Sequence, residues 1–279
     1  MTKLPLAKRL PLTILLLSGL LVAVLGGVNY WQASSAANAA IEQRLATVLE
    51  GRANAYVDYL SALQNDLLAV ASSPATQTAM QRFSKAYGFL KKRAESKLQA
   101  AFITENPHPA GERDKLVEAG SKSKYAKQHK NMHGWYRDYV RERGYQDLYL
   151  LDRDGAVVYS VFKYDDFATS LKDGPYAQSG LARAFEAVMA DPQAGRVVLT
   201  DLALYGETKR PGAFMATPVF DKFGDLWGVL AYQLPTARLS DIVNRVAGLG
   251  DSAEVTLVGQ DRLRRSEAGM TGATAILAE

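Results

Sequence analysis

The hydrophobic pattern divides the chain into an apolar N-terminal stretch, a long helical region and a region of short strands. From Leu10 to Trp31 the sequence is apolar almost throughout, and no charged residue lies between Leu12 and Val28. A stretch of this length can cross the hydrocarbon core of a bilayer as one helix. We therefore predict a transmembrane helix over residues 10–31.

Basic residues set the predicted orientation of this helix. Lys3, Lys8 and Arg9 precede it, and the next basic residue is Arg44. Because positive charge beside a membrane helix is retained in the cytoplasm, we expect residues 1–9 to be cytoplasmic and the rest of the chain to lie outside.

The competing interpretation of the N-terminus is a cleaved signal peptide. Its support is the run of small residues at 36–40, which resembles a cleavage site. The apolar stretch is longer than a usual signal core, and the small residues lie well beyond its end. These two features favour an anchor that stays in place.

The next apolar positions recur at steps of three and four residues, the pattern of an amphipathic helix. These positions are Leu45, Leu49, Tyr56, Leu60, Leu63, Leu67 and Val70. We predict a stalk helix over residues 36–71 that ends before Pro74, since proline cannot continue a helix without a kink. A seam this narrow usually pairs with another helix. Two alternatives follow: packing within its own domain, or a homodimer through the stalk helices.

Two further segments complete a helical stalk and helical region over residues 32–130. A second helix is expected over residues 75–105, before the proline-rich loop at 106–111. Residues 113–130 are polar and only weakly helical, and we expect them to form a mobile connection.

From residue 146 the pattern changes to short runs rich in β-branched and aromatic residues, separated by turn residues. Five strands are predicted, over residues 146–152, 156–162, 196–201, 213–220 and 226–234. Asp154 and Gly155 form the first turn, and Ser179 caps a helix over residues 179–189. The fold class is therefore α+β, a five-stranded antiparallel sheet with helices on one side, and the other face can hold a ligand.

The sheet and its flanking helices are predicted to form one domain over residues 131–250. After Gly250 a new strand is predicted at 253–258, and it resembles the start of the first hairpin. We expect residues 251–279 to be the start of a truncated second module.

Composition and charge exclude several classes of site. The chain has no cysteine, which excludes disulfides, thiolate metal sites and thiol catalysis. The net charge is +4, but the basic residues are not gathered with aromatics as a nucleic-acid groove requires, so no nucleic-acid partner is expected. His129 and His133 are four residues apart, yet no third ligand completes a metal site. No GxSxG, Walker loop or HExxH motif occurs, and neither enzyme activity nor a cofactor is expected.

Three runs of residues carry a resemblance to a known family. They are HGWYRDYVRERGYQDLYLLDRDGAVVYSVFKYDDFATSL, GPYAQSGLARAF and ATPVFDKFGDLWGVLAYQLP. Over about residues 129–265 the sequence resembles the Cache-type (double Cache) sensor regions of methyl-accepting chemotaxis proteins, histidine kinases and membrane cyclases. The resemblance implies a PAS-like sheet after a long helix, a membrane-proximal second module, a second membrane helix and a cytoplasmic signalling output. The last two are absent from this chain, so we expect it to hold the input half of a receptor.

The function implied by this resemblance is ligand sensing outside the inner membrane of a bacterial cell, by a transmembrane receptor of the methyl-accepting chemotaxis kind. The alternatives are the sensor region of a histidine kinase or of an adenylate or guanylate cyclase, and a membrane-tethered adaptor. Amino-acid-binding members of the family share an Arg-Trp-Tyr cluster and a later Asp on the last strand. Here Trp135 and Tyr136 are present, but His133 stands where Arg is wanted, and Gln233 replaces the Asp.

Candidate contacts for a small-molecule ligand are aromatic, charged or hydroxyl-bearing side chains near the predicted sheet face. They are Trp135, Tyr136, Arg137, Tyr149, Tyr159, Asp166, Thr169, Tyr176 and Asp201, with Tyr205 beside Asp201. The alternative interpretation is core packing for the tyrosines and turn capping for the aspartates. A ligand that binds one form of the site better shifts the population toward that form, and we expect this shift to move the long helix.

Overall fold

The computed structural model describes residues 6–120, 122–206, 210–244, 255–266 and 277. Its α-helices are α1 (Leu6–Ser72), α2 (Pro74–Gly88), α3 (Ala94–Gln99), α4 (Lys124–Arg143), α5 (Gly180–Ala190) and α6 (Thr236–Asn244). Its strands are β1 (Asp147–Asp152), β2 (Val157–Ser160), β3 (Val198–Leu199), β4 (Ala203–Tyr205), β5 (Arg210–Gly212), β6 (Phe214–Phe220) and β7 (Leu226–Gln233).

Helix α1 contains both the apolar stretch and the predicted stalk, and it belongs to two compact units that divide after Ala53. In the first unit the helix is long and apolar enough from Leu10 onward to cross a membrane. Its position and composition agree with the predicted transmembrane segment. The helix ends at Ser72, as predicted, because Ser73 caps α2 by accepting a hydrogen bond from the Thr76 amide and Pro74 opens that helix.

The second predicted helix is interrupted, so its expected span of 75–105 is wrong. α2 ends at Gly88, and a 3-10 turn over Lys91–Arg93, α3 and a π turn over Ala100–Thr104 follow it. The cause is the backbone of Lys91, whose φ of 53° lies in the left-handed region that a helix cannot contain.

The connection predicted over 113–130 contains the start of α4, which is a correction to the sequence interpretation. Ser123 accepts a hydrogen bond from the Ala126 amide at 3.1 Å and so caps this helix. Four of the six residues on its buried face are tyrosine or histidine, and these polar-tipped side chains hid its amphipathic pattern. The six residues are Tyr125, Ala126, His129, His133, Tyr136 and Val140.

All strand pairs of the main sheet are antiparallel, in the order β2-β1-β7-β6-β3. The five predicted strands are therefore confirmed, although β3 is shortened to Val198–Leu199. The first turn contains Gly155 at φ 84°. β4 and β5 form a separate hairpin that the sequence did not indicate.

Helices cover both faces of the sheet, which corrects the expectation of helices on one side. One buried core joins the sheet to the second-unit part of α1 and to α2 and α4, through side chains such as Leu67, Phe83 and Leu148. The other core joins the opposite face to α5, through Tyr149, Phe185 and Phe214 among others. We call the side of the sheet that packs against α1, α2 and α4 the helix face, and the side that packs against α5 the α5 face.

The predicted second module lies mostly outside the described residues. Residues 245–254 and 267–276 are among those left undescribed, so the expected strand over 253–258 is described only from Val255. In that part Val258 forms an isolated bridge with Arg264.

Candidate functional site

Polar side chains gather on the α5 face where β1 begins and β7 ends. Asp147 lies opposite Gln233 across the β1–β7 pair, and Tyr149 lies opposite Ser160 across the β1–β2 pair. Opposed residues of an antiparallel pair project from the same face. All four are buried, in a region where apolar side chains would be the ordinary choice.

A β-bulge determines which side chains of β2 reach this face. The register shifts between Leu150 and Leu151, so that Tyr159 pairs with Leu150 while Val157 pairs with Leu151. One extra residue in a strand reverses the facing of everything beyond it. Ser160 is thereby directed to the α5 face, and Tyr159 to the helix face.

The loop between β2 and α5 adds Asp166 to this group. A turn holds it, because both the amide and the hydroxyl of Thr169 donate to the Asp166 carbonyl, at 3.2 and 2.7 Å. The Asp166 side chain is 1% exposed, and its Oδ2 accepts a 2.5 Å hydrogen bond from the Tyr205 hydroxyl. We call Asp147, Tyr149, Ser160, Asp166, Tyr205 and Gln233 the sheet-face site.

Two buried polar atoms of the sheet-face site have no hydrogen-bond partner within the described residues: Asp166 Oδ1 and Ser160 Oγ. The nearby Tyr149 hydroxyl donates instead to Gln233 Oε1, over a long 3.3 Å. Buried polar atoms are nearly always partnered in folded proteins. An unpartnered carboxylate oxygen and an unpartnered hydroxyl on one sheet face therefore mark a place suited to a polar ligand.

The electrostatics of this site come from two carboxyl groups close together. Burial raises the pKa of Asp166 to about 6, against the lowering effect of the hydrogen bond from Tyr205. Burial and the charge of Asp166 together raise the pKa of Asp147, whose oxygens accept from the Leu148 and Val161 amides. At neutral pH Asp166 is mostly ionised, and a buried negative charge favours a cationic partner.

The buried Lys163 does not neutralise this charge directly. Its ammonium donates to the backbone carbonyls of Ser160 and Val161 and lies 4.4 Å from the centre of the Tyr159 ring, in the helix-face core. Burial lowers the pKa of Lys163, against the raising effect of Asp147.

Two histidines on α4 resemble metal ligands in sequence but not in geometry. The rings of His129 and His133 are stacked with centroids 4.2 Å apart. His133 contacts the Asp114 carbonyl and the Tyr159 hydroxyl, each at 2.7 Å, while His129 Nδ1 lies 3.1 Å from the Val117 carbonyl. Among the described residues, no group of three histidine or acidic side chains is arranged to hold a metal ion.

The structure brings together four of the nine candidate residues. Tyr149 and Asp166 belong to the sheet-face site, and Thr169 holds the turn of Asp166. Tyr176 borders the site, with its ring 5.8 Å from that of Tyr205.

The other candidates lie elsewhere in the fold. Tyr136 and Tyr159 are in the helix-face core, where the Tyr136 hydroxyl donates to Thr76. Trp135 is 51% exposed on α4, and Arg137 forms a 2.8 Å ion pair with the adjacent Asp138.

Asp201 lies in a different cavity, an open groove of about 650 Å³. There Arg265 forms a two-pronged ion pair with Asp201, at 2.7 and 2.8 Å, and a 2.7 Å bond to Asp261. The walls of the groove include Leu60, Leu202 and Leu239. Asp201 is thus paired with the segment 255–266 and is not part of the sheet-face site.

Sequence reasoning missed Asp147 and Ser160, and it treated Gln233 only as a substitution for Asp. Strand alternation from Tyr149 leads back to Asp147, so that residue had a usable signal. No sequence signal revealed Ser160, because the bulge that turns it toward the site depends on pairing with β1.

A scan against protein-family models and a search of curated proteins each gave no match. Solved structures do show similarity. The sensor domain of the Vibrio cholerae histidine kinase DctB is 18% identical, with a TM-score of 0.33, over 65% of this chain and 59% of that one. The ligand-binding domain of the Campylobacter jejuni chemoreceptor Tlp3, in complex with L-valine, is 18% identical, with a TM-score of 0.37, over 78% of this chain and 73% of that one.

A third similar structure is the ligand-binding domain of the Pseudomonas aeruginosa amino acid chemoreceptor PctC in complex with GABA. It is 16% identical, with a TM-score of 0.32, over 75% of each chain. These three similar structures are sensor or ligand-binding domains of two chemoreceptors and a histidine kinase.

Proposed function

We propose that this chain is the extracytoplasmic ligand-sensing region of a bacterial transmembrane signalling receptor of the methyl-accepting chemotaxis kind, with residues 131–250 as its sensor module. The observation that carries the proposal is the pair of unpartnered buried atoms, Asp166 Oδ1 and Ser160 Oγ, on one face of the sheet. Such atoms destabilise the unliganded protein, and a ligand that satisfies them binds selectively.

The charge of the site indicates the class of ligand. Asp166 is a buried carboxylate with one satisfied oxygen, and Asp147 beside it is a second acid. A primary ammonium group supplies three donors and a positive charge, which suits the unpartnered Asp166 Oδ1. We propose a small molecule that carries a primary amine.

The rest of the site suits a short ligand with an apolar part. The rings of Tyr176 and Phe214 lie 5.8 and 4.7 Å from that of Tyr205, and Tyr149 lies 6.2 Å from Phe214. Aromatic rings of this kind contact both apolar groups and cations. L-valine and GABA, the ligands named for two similar structures, both have an amine on a short carbon chain.

The test is a binding screen on the full chain in detergent, with each amine matched to its analogue without the amine. L-valine is compared with 3-methylbutanoate, and GABA with butanoate, by thermal shift and calorimetry. A ligand at about 100 times its dissociation constant stabilises the fold by about 2.7 kcal/mol. We expect saturable binding of at least one amine, no binding of its analogue, and no turnover. Equal binding of both, no shift across a broad amine library, or turnover would each contradict the proposal.

Site variants locate the binding. Asp166→Asn removes the charge and is expected to weaken amine binding at least tenfold. Its matched control is Asp165→Asn, because Asp165 is adjacent but half exposed, and pairs with Arg113 at 3.4 Å. Loss of binding in both variants would show that the effect is not specific to the sheet-face site.

Anchoring in the inner membrane by residues 10–31 is the second part of the proposal. It is supported by the length and apolar character of α1 from Leu10 onward. Since the chain has no cysteine, a single cysteine at Lys3 or at Glu50 can be probed with a membrane-impermeant reagent in intact spheroplasts. Labelling at position 50 alone supports the anchor and its orientation, while labelling at both positions contradicts them.

A homodimer through the stalk helices is the third part of the proposal. Leu45 and Leu49 are 41% and 50% exposed and lie one helical turn apart on α1. Exposed leucines at this spacing are typical of a helix–helix seam. Leu49→Cys is expected to form an interchain disulfide under mild oxidation. Glu50→Cys, directed away from the seam, is the control, and equal cross-linking at both positions would contradict the dimer.

A further inference from the structure

A carboxylate on α1 is bound by a group of tyrosines from the rest of its unit. Asp66 Oδ2 accepts hydrogen bonds from the hydroxyls of Tyr139, on α4, and Tyr145, just before β1, the latter at 2.6 Å. The Tyr139 hydroxyl also lies 2.9 Å from that of Tyr232, on β7. We call Asp66, Tyr139, Tyr145 and Tyr232 the tyrosine clasp.

The tyrosine clasp is largely buried. The Asp66 side chain is 16% exposed, and Tyr145 and Tyr232 are buried. Burial, followed by the hydrogen bond to Asp66, raises the pKa of both Tyr139 and Tyr145, so these hydroxyls remain donors. The rings of Tyr145 and Tyr232 are in contact, with centroids 4.4 Å apart.

The clasp and the sheet-face site meet at two consecutive residues of β7. Tyr232 projects into the helix-face core, and Gln233 projects to the α5 face, where it accepts from Tyr149. Successive side chains of a strand point to opposite faces. A displacement of β7 caused at Gln233 therefore displaces Tyr232 on the other side of the sheet.

Helix α1 also packs against the helix-face core through apolar side chains, such as Leu63, Leu67 and Val70. Asp66 in addition lies 3.6 Å from the Arg143 guanidinium at the end of α4. Apolar contacts allow small sliding movements, whereas a hydrogen-bonded pair has a defined geometry. A movement of the sheet is therefore expected to displace α1 at Asp66, where hydrogen bonds of defined geometry connect the two.

We propose that Asp66 is a positioning residue for signalling, and that ligand occupancy at the sheet-face site reaches α1 through Gln233, Tyr232 and the tyrosine clasp. This inference rests on the proposed function and specifies how ligand binding at the same site changes the position of α1. The movement expected of α1 relative to the sheet is a translation of about 1–2 Å, the usual size of helix shifts in switching proteins. Neither the identity of the ligand nor the nature of the output is needed for this route.

The test measures the distance between α1 and the sheet in the full chain in nanodiscs. Spin labels are placed through Gln64→Cys and Lys222→Cys, two exposed positions in a chain without native cysteine. The critical variant is Tyr232→Phe, which removes only the hydroxyl through which β7 contacts Tyr139. Tyr136→Phe is the matched control, since the Tyr136 hydroxyl donates to Thr76 and lies outside the clasp. Asp66→Asn is the second clasp variant.

Two triggers keep the test decisive whether or not an amine binds. The first is 10 mM L-valine or GABA, with binding measured on the same samples. The second is Asp166→Asn, which neutralises the buried charge as an ammonium group would. We expect either trigger to shift the distance in the otherwise wild-type chain and in Tyr136→Phe, and to shift it less than half as far in Tyr232→Phe and Asp66→Asn.

The outcomes separate this inference from the proposed function. Amine binding that persists in Tyr232→Phe, with the shift lost, supports both. An equal shift in Tyr232→Phe and wild type overturns the clasp route and leaves the function standing. If no amine binds, the proposed function fails, and the distance shift caused by Asp166→Asn alone tests the clasp route. A shift in the otherwise wild-type chain that is lost when Tyr232→Phe is added supports the route. The absence of a shift in the otherwise wild-type chain overturns it.

Discussion

The hydroxyl of Tyr205 donates a 2.5 Å hydrogen bond to Oδ2 of Asp166, and Oδ1 of the same buried carboxylate has no partner within the described residues. The position of the carboxylate is therefore fixed through one oxygen, and the other oxygen is the one to which we propose that the ligand binds. Groups held in this way are typical of binding sites, where stability is reduced in favour of function.

The charge of Asp166 is expected to destabilise the folded protein at neutral pH. Its pKa rises from 3.8 to about 6 on folding, so the folded state holds the proton more tightly than the unfolded state. Stability is therefore lost as the pH rises through this interval. Asp166→Asn does not titrate, and we expect it to raise the free energy of unfolding at pH 7 by about 3 kcal/mol.

Urea unfolding of wild type and Asp166→Asn between pH 4 and 7.5 checks this prediction. The difference between the two proteins should be largest above pH 6 and should fall toward zero near pH 4. Asp165→Asn is the control and should give no such dependence. A wild-type protein more stable than Asp166→Asn at pH 7 would contradict the prediction.

The stacked histidines predict a loss of stability in acid. Burial is the main cause that lowers the pKa of His133 to about 3 and moves that of His129 well below 6.5. Protons therefore bind the unfolded chain first, and stability falls as the pH drops below about 6.5. At pH 5 His133 is expected to contribute a loss of about 2 kcal/mol, and His129 a further loss in the same direction. The nearby charges that act on these rings are Lys163 and Arg137.

His129→Phe keeps an aromatic ring against Phe102 and His133 and removes one titrating group. Compared with wild type, the free energy of unfolding of this variant should fall less between pH 7 and pH 5, because the unfolded chain can no longer bind a proton at position 129. His108→Gln, in the 106–111 loop, is the control. An identical acid response in His129→Phe and wild type would show that His129 takes up no proton on unfolding.

Arg265 is predicted to hold the segment 255–266 against the end of β3. Its side chain is 7% exposed and pairs with Asp201 and Asp261. Hydrogen bonds to charged groups contribute about 1.5–3 kcal/mol, so Arg265→Ala should speed amide exchange in 255–266 by roughly ten- to a hundred-fold. Arg262→Ala, at an exposed position, should leave it unchanged.

The same ion pair separates Asp201 from the proposed ligand site. Asp201→Asn is expected to mimic Arg265→Ala in amide exchange and to leave amine binding unchanged. If Asp201→Asn lost amine binding while Asp166→Asn kept it, the ligand site would be the groove and not the sheet-face site.

Gly228 on β7 is predicted to tolerate no side chain. A Cβ at this position would lie 2.1 Å from the Leu151 carbonyl oxygen and 3.0 Å from Met80 Sδ. Gly228→Ala should therefore lower the free energy of unfolding by about 3 kcal/mol. Gly224→Ala is the comparison: its φ of 86° is left-handed but no atom lies within 4 Å, and a cost of about 1 kcal/mol is expected. Equal losses would show that the close contact relaxes freely.

Most elements of the fold were accessible from local pattern, and the exceptions have definite causes. The five strands, the end of α1 before Pro74 and the cap at Ser179 follow from alternation, proline and capping chemistry. The break at Lys91 and the start of α4 at Lys124 did not, because a left-handed lysine and a helix face built from tyrosine and histidine have no simple sequence signature.

The sequence by itself determined the apolar stretch of α1, the antiparallel strands and the concentration of aromatic and acidic residues around them, since each depends on the spacing of neighbouring residues. Only the tertiary structure decided which face each side chain occupies. The bulge opposite Leu150 directs Ser160 and Tyr159 to opposite faces, and the fold brings Asp166 to Tyr205 and Asp66 to Tyr139 from distant positions in the chain. The physical reason is that facing and pairing are set by long-range contacts between strands and helices, which local periodicity does not encode.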